Sequence, residues 1–74
     1  GQIETLQFHI KEANKMTAKP LSQLKLKKGV LIAAIIRKGK TIFPTGEEML
    51  EVGDKLLVTT LLPNITKIYD LIAR

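Results

Sequence analysis

Over residues 2–10 apolar and polar side chains alternate, with Leu6, Phe8 and Ile10 on one side and Thr5, Gln7 and His9 on the other. A period of two predicts a strand with one covered face. Residues 11–18 form a polar connection. The run Lys19-Pro20-Leu21-Ser22-Gln23-Leu24 then predicts a short helix, with Leu21 and Leu24 on one face. Pro20 suits its first position, where a missing N–H goes unnoticed, and Lys19 suits its cap. Lys27, Lys28 and Gly29 end that element.

Residues 30–36 (Val-Leu-Ile-Ala-Ala-Ile-Ile) are apolar at every position. A strand that is apolar on both sides must be covered twice, whereas an antiparallel sheet usually leaves one face wet. The chain is too short to supply both covers, so a second subunit or domain is expected on one of them. Lys38-Gly39 predicts a tight turn, and Thr41-Ile42-Phe43 a returning strand ended by Pro44, which cannot donate to a ladder. Thr45-Gly46 and Val52-Gly53-Asp54 are turn signals around residues 47–51, and residues 55–61 read as the last strand. Asn64 can cap a closing helix whose Ile65, Ile68, Tyr69 and Ile72 would share one face. The expected fold is α+β in two layers: a strand, a short helix, a three-stranded antiparallel meander and a C-terminal helix.

Composition narrows the function more than the fold. Hydrophobic residues make up 45% of the 74, too many for a disordered tail, and there is no cysteine to build a disulfide framework or a thiolate metal site. A reducing compartment is the natural expectation. No apolar run reaches the length of a membrane span, and residues 1–10 lack the basic start and apolar block of a signal peptide. The net charge of +5 is uneven: residues 1–40 hold nine Lys and Arg against two acids, residues 41–74 three against five. A basic half of this kind either attracts phosphate-bearing partners or is simply a solvated face.

Catalysis finds no support. His9, the single histidine, alternates with Thr and Gln on the polar side of its strand and reads as a surface residue. Glu47, Glu48, Glu51 and Asp54 do not follow a calcium-loop spacing and read as solvated turn carboxylates. The glycines punctuate turns and do not cluster into a phosphate loop. Nucleic-acid binding is disfavoured by three aromatics, two of which point to the core by pattern, and by ten Lys against two Arg. One segment remains: Lys27 and Lys28 stand beside Gly29, just ahead of the over-hydrophobic strand. At a two-fold interface such a strand would give a crevice with charged rims and an apolar floor, matching a diphosphate ligand with flat bases. Taken singly, each lysine is better explained by loop solubility.

The succession Lys19-Pro20-Leu21-Ser22-Gln23-Leu24, then residues 31–40 ending Arg37-Lys38-Gly39-Lys40, then Ile42-Phe43-Pro44-Thr45-Gly46-Glu47, then residues 50–58 with Gly53-Asp54, resembles the TrkA C-terminal domain, also called RCK-C. The resemblance covers nearly the whole chain, and it implies that residues 1–74 are one such domain of a larger protein. One departure is Ala18, where the family commonly has glycine. The resemblance implies a regulatory, non-enzymatic domain of potassium or other cation transport. Such domains are cytoplasmic, tethered to an inner-membrane channel or transporter subunit. They form homodimers with a ligand crevice, occupied in some members by cyclic di-AMP. By position Lys27, Lys28, Leu31, Ile32 and Pro44 correspond to the ligand-binding crevice, which would take cyclic di-AMP or another anionic nucleotide. Leu31 stands where some cyclic di-AMP binders carry asparagine. A dimerising, tethering module without a ligand of its own is the alternative, and a basic nucleic-acid-binding domain a more distant one.

Overall fold

The computed structural model describes residues 2–73. Its scaffold is one antiparallel sheet of four strands: β1 (Glu4–His9), β2 (Val30–Arg37), β3 (Lys40–Ile42) and β4 (Lys55–Thr60), in the spatial order β1-β4-β2-β3. The expected α+β fold is corrected at this point. Only 3₁₀ turns occur among the described residues, at Lys15–Thr17, Leu21–Gln23 and Ile68–Leu71, and no C-terminal helix forms. The second layer is made of these turns and their connecting segments.

The expected meander is corrected as well, because β4 does not pair with β3. With three residues and Pro44 behind it, β3 offers too short a ladder for a six-residue partner. β4 lies between β2 and β1, pairing Leu56 with Ile35 and Phe8, and Val58 with Ile32 and Leu6. The first strand's alternation holds: Leu6, Phe8 and Ile10 face the core.

Local chemistry explains the missing helix. Asn64 adopts φ 63, in the left-handed region, and Lys67 is extended. The Asp70 carboxylate accepts the backbone N–H groups of Thr66 and Lys67 at 3.0 and 2.9 Å, closing a local turn that competes with helix. Four β-branched residues in this stretch, Ile65, Thr66, Ile68 and Ile72, lower helix propensity further. Ile72 then runs extended and bridges Leu26, while Ile65 and Leu71 are buried. At the earlier predicted helix the corrected cap is Pro20, not Lys19, and Pro20 pairs with Met49.

A bulge reconciles β2 with its neighbours. The register with β4 shifts between Ile32 and Ala34, so Ala33 is the extra residue. Ile32 and Ile35 therefore both reach the core although they are three apart. They join Ile10, Met16, Leu50, Leu56, Val58, Ile65 and Leu71 in one cluster. Met16 is held beneath the sheet by a polar clasp, in which Asn14 Oδ1 accepts the Met16 N–H at 2.7 Å.

Candidate functional site

Pairing places Thr5, Thr59 and Leu31 side by side on the sheet's outer face, followed by Gln7, Leu57 and Ala34, then His9, Lys55 and Ile36. Ile3 and Leu61 extend the same phase at one end. The result is an apolar surface: Ile3, Leu31 and Leu61 are each more than half exposed, and Leu57 and Ile36 are more than a third exposed. Their chain supplies nothing to cover this face among the described residues. A single exposed leucine is ordinary, but five large apolar side chains on one face form an extended exposed apolar patch.

The five residues assigned to the crevice do not share one surface of a single copy. Leu31 stands on the outer face and is 61% exposed, while Ile32, 5% exposed, points into the core. Lys27 and Lys28 open a tight turn closed by the Val30 N–H donating to the Lys27 carbonyl at 3.1 Å, with Gly29 at φ 91. Lys28 is exposed in the turn, three residues ahead of Leu31. Lys27 is half-buried, and its N–H donates to the Leu71 carbonyl, which places it with the turn layer on the covered side. Pro44 is half-buried just beyond β3, at the opposite edge of the sheet from β1.

A polar cluster whose members look in the sequence like separate turn signals comes together at the other end of β2. Arg37 follows Ile35 on the inward phase, where a guanidinium needs partners. Its Nε and Nη2 donate to the two carboxylate oxygens of Asp54 at 2.9 and 2.8 Å, and Nη2 also donates to the Met49 carbonyl at 2.9 Å. Nη1 lies 3.3 Å from Glu48 Oε2 and 3.1 Å from Glu51 Oε2. Glu48 and Glu51 are therefore not merely solvated carboxylates; they hold the protein's own cation. Burial raises the Asp54 carboxyl and is the strongest single influence on it. The hydrogen bonds from Arg37 and the Glu51 N–H, with the guanidinium charge, outweigh burial and hold it below its ordinary value. The Asp54 hydrogen bonds raise the Arg37 guanidinium further above its already high value. Inward phase at Arg37 and a turn ending in Asp54 were the sequence signals for this pair.

The aromatics correct a further expectation. Phe8 alone packs against the core, whereas Phe43 is 78% and Tyr69 51% exposed. No cluster of three or more His, Asp or Glu suited to a metal occurs among the described residues, and no helix is long and apolar enough to cross a membrane.

This geometry describes a small antiparallel β domain with a clamped turn region and one uncovered apolar sheet face. Residues 6–73 match the TrkA-C domain, and the chain belongs to that family. It is similar to the Trk system potassium uptake protein TrkA homolog 1 of Methanosarcina mazei, with 30% identity over 57 residues, 77% of this chain. It is also similar to TrkA homolog 2 of the same organism, with 27% identity over 60 residues, 81% of this chain. The chain spans 13% of the length of either relative.

Proposed function

We propose that this domain regulates potassium or other cation transport as a cytoplasmic part of a membrane-associated system, and that it does so as a homodimer. The observation that carries the dimer is the outer face of the sheet. Its middle rows, Thr5-Thr59-Leu31 and Gln7-Leu57-Ala34, carry no charge, and Lys55 and His9 stand only at one end. A second copy can lay the same face on it without like-charge repulsion. Leu31, Leu57, Ile36, Ile3 and Leu61 would then lose water contact, at about 1.5–3 kcal/mol for each side chain fully buried, against association costs of several kcal/mol. The names of the two Methanosarcina relatives support the setting in potassium uptake. A regulatory role needs no catalytic centre.

In the ligand-sensing form of this reading, a two-fold axis through the outer face duplicates Lys28 and Leu31 around a crevice. There an anionic nucleotide such as cyclic di-AMP would meet charge at the rim and apolar surface at the floor. Lys27, Ile32 and Pro44 would back that crevice from the neighbouring turn, core and edge. The placement of Ile32 in the core and Lys27 on the covered side favours the second reading, a dimer that tethers with no ligand in that crevice.

Sedimentation equilibrium of the wild type and of a Leu31→Asp/Leu57→Asp variant tests the dimer. The expected outcome is a wild-type dimer at tens of micromolar and a folded monomeric variant; a wild-type monomer at high micromolar concentration refutes it. Melting with and without cyclic di-AMP separates the two readings, since a ligand at about 100 times its Kd stabilises the native state by about 2.7 kcal/mol.

A further inference from the structure

A groove of about 740 Å³ opens on the turn layer, away from the uncovered sheet face. Three separate segments line it: Lys15 from the first 3₁₀ turn, Lys27 from the turn before β2, and Tyr69 with Asp70 from the last 3₁₀ turn. Their chemistry is complementary. Lys15 and Lys27 bring two ammonium groups; neither is within ion-pair distance of a carboxylate among the described residues, while the Lys27 charge is near enough to help lower the Asp70 carboxyl. Tyr69 leaves half its surface open in the groove wall, so its ring face is available for stacking. Asp70 is oriented rather than free to swing. Its Oδ2 accepts the N–H groups of Thr66 and Lys67 and lies 3.3 Å from the Thr66 hydroxyl, while Oδ1 has no partner among the described residues.

We infer that this groove binds a nucleoside monophosphate. The base stacks on Tyr69, a ribose hydroxyl donates to Asp70 Oδ1, and Lys15 and Lys27 pair with the phosphate. A flat ring, a hydroxyl donor and an anion are the three features the groove answers, and a 5′-nucleotide carries all three within its length. The volume falls in the range of small-molecule sites, roughly 300–1,000 Å³. Binding here needs neither the dimer nor the transport role proposed above, because every group comes from one copy and from the covered side of the sheet.

The chain itself supplies a reporter. Tyr69 is its single tyrosine and there is no tryptophan, so tyrosine emission comes from the groove alone. Adenosine 5′-monophosphate is titrated into the full chain, with emission corrected for nucleotide absorbance and calorimetry in parallel. Saturable quenching is expected. Tyr69→Leu should weaken calorimetric binding at least about fivefold, the lower end of base–aromatic stacking. Lys15→Ala/Lys27→Ala should weaken it about tenfold or more, and Lys40→Ala, on the distant hairpin, should leave it unchanged. Circular dichroism confirms that each variant is folded. Inorganic phosphate that competes as well as the nucleotide would overturn the assignment by reducing the groove to an anion site. So would no binding at low millimolar nucleotide, or binding indifferent to both the tyrosine and the lysine substitutions.

Discussion

Arg37 and Asp54 meet side-on through two parallel hydrogen bonds of 2.9 and 2.8 Å, joining the end of β2 to the turn that begins β4. Asp54 is 1% exposed, and the Arg37 side chain retains 18% exposure. The pair acts as a strut where the sheet meets its turn layer, since Asp54 also accepts the Glu51 N–H and its own backbone carbonyl accepts the N–H of Ile10.

Removing one partner should therefore be severe. Asp54→Asn leaves a half-buried guanidinium without its bidentate acceptor, and about 3 kcal/mol of destabilisation is expected, the lower end for a buried pair because Arg37 is partly wet. Arg37→Lys should also destabilise, since an ammonium cannot make the parallel pair while reaching the Met49 carbonyl. Denaturant unfolding of both variants checks this, and a loss under about 0.5 kcal/mol in both would show the strut to be incidental.

The same carboxylate sets an acid limit. The Asp54 carboxyl is held below its ordinary value in the folded chain, so its contribution is fully present above an unfolded value of about 4 and is lost as pH falls through the lower folded value. Asp70 acts in the same direction, through its bonds to the Thr66 and Lys67 N–H groups. Melting temperature should fall below about pH 4, and part of that fall should vanish in Asp54→Asn. A wild-type melting temperature that is flat from pH 5 to pH 2 would contradict it.

The β2–β3 hairpin carries strain that can be relieved. Lys38 and Gly39 both have positive φ, 52 and 76, as a two-residue turn joining the Arg37–Lys40 pair demands. Glycine is suited to this backbone and lysine is not. Lys38→Asn should raise stability by about 0.5–1 kcal/mol. Gly39→Val should lower it by about 1–2 kcal/mol, for backbone reasons alone, because a Cβ there meets nothing within 4 Å. Paired thermal melts decide between these outcomes and no change.

Neighbouring apolar residues should respond oppositely to truncation. Ile35→Ala empties a fully buried position and should cost about 2–5 kcal/mol. Leu31→Ala should be close to neutral for the monomer and weaken only self-association. Unfolding at two concentrations a hundredfold apart distinguishes them, since only a dimer's stability depends on concentration.

Strand positions were legible wherever alternation was clean. Leu6, Phe8 and Ile10 sort correctly because one face of β1 is covered and the other wet, and positive φ at Gly39 and Gly53 follows from turn chemistry visible in the residues. The C-terminal segment was misread because Ile65, Ile68, Tyr69 and Ile72 fit a helical period, while Asn64 and Asp70 close the backbone into turns instead. Tertiary pairing of Leu26 with Ile72 then takes the extended form. Periodicity cannot report on such side chain to backbone competition. Four of the five crevice residues lie within residues 27–32 yet divide in space, because a strand turns Leu31 and Ile32 to opposite faces and the turn at Gly29 sends Lys27 below the sheet. The Lys15–Lys27–Tyr69 groove was not readable at all, since its walls come from segments far apart in the chain.

The place of β4 between β1 and β2 has a consequence for how the chain comes into being. β1 has no neighbour in the sheet except β4, so the first strand of the sheet waits for its last. Until residues 55–60 leave the ribosome, only the β2–β3 hairpin can close, and Leu6 and Phe8 travel without a partner. Pairings so distant in sequence make folding slow and late, and a chain cut between β3 and β4 would lose the middle of its sheet rather than an edge. Two such fragments mixed together, however, carry complementary ladders, and reassembly of the sheet from its severed halves is what this strand order permits.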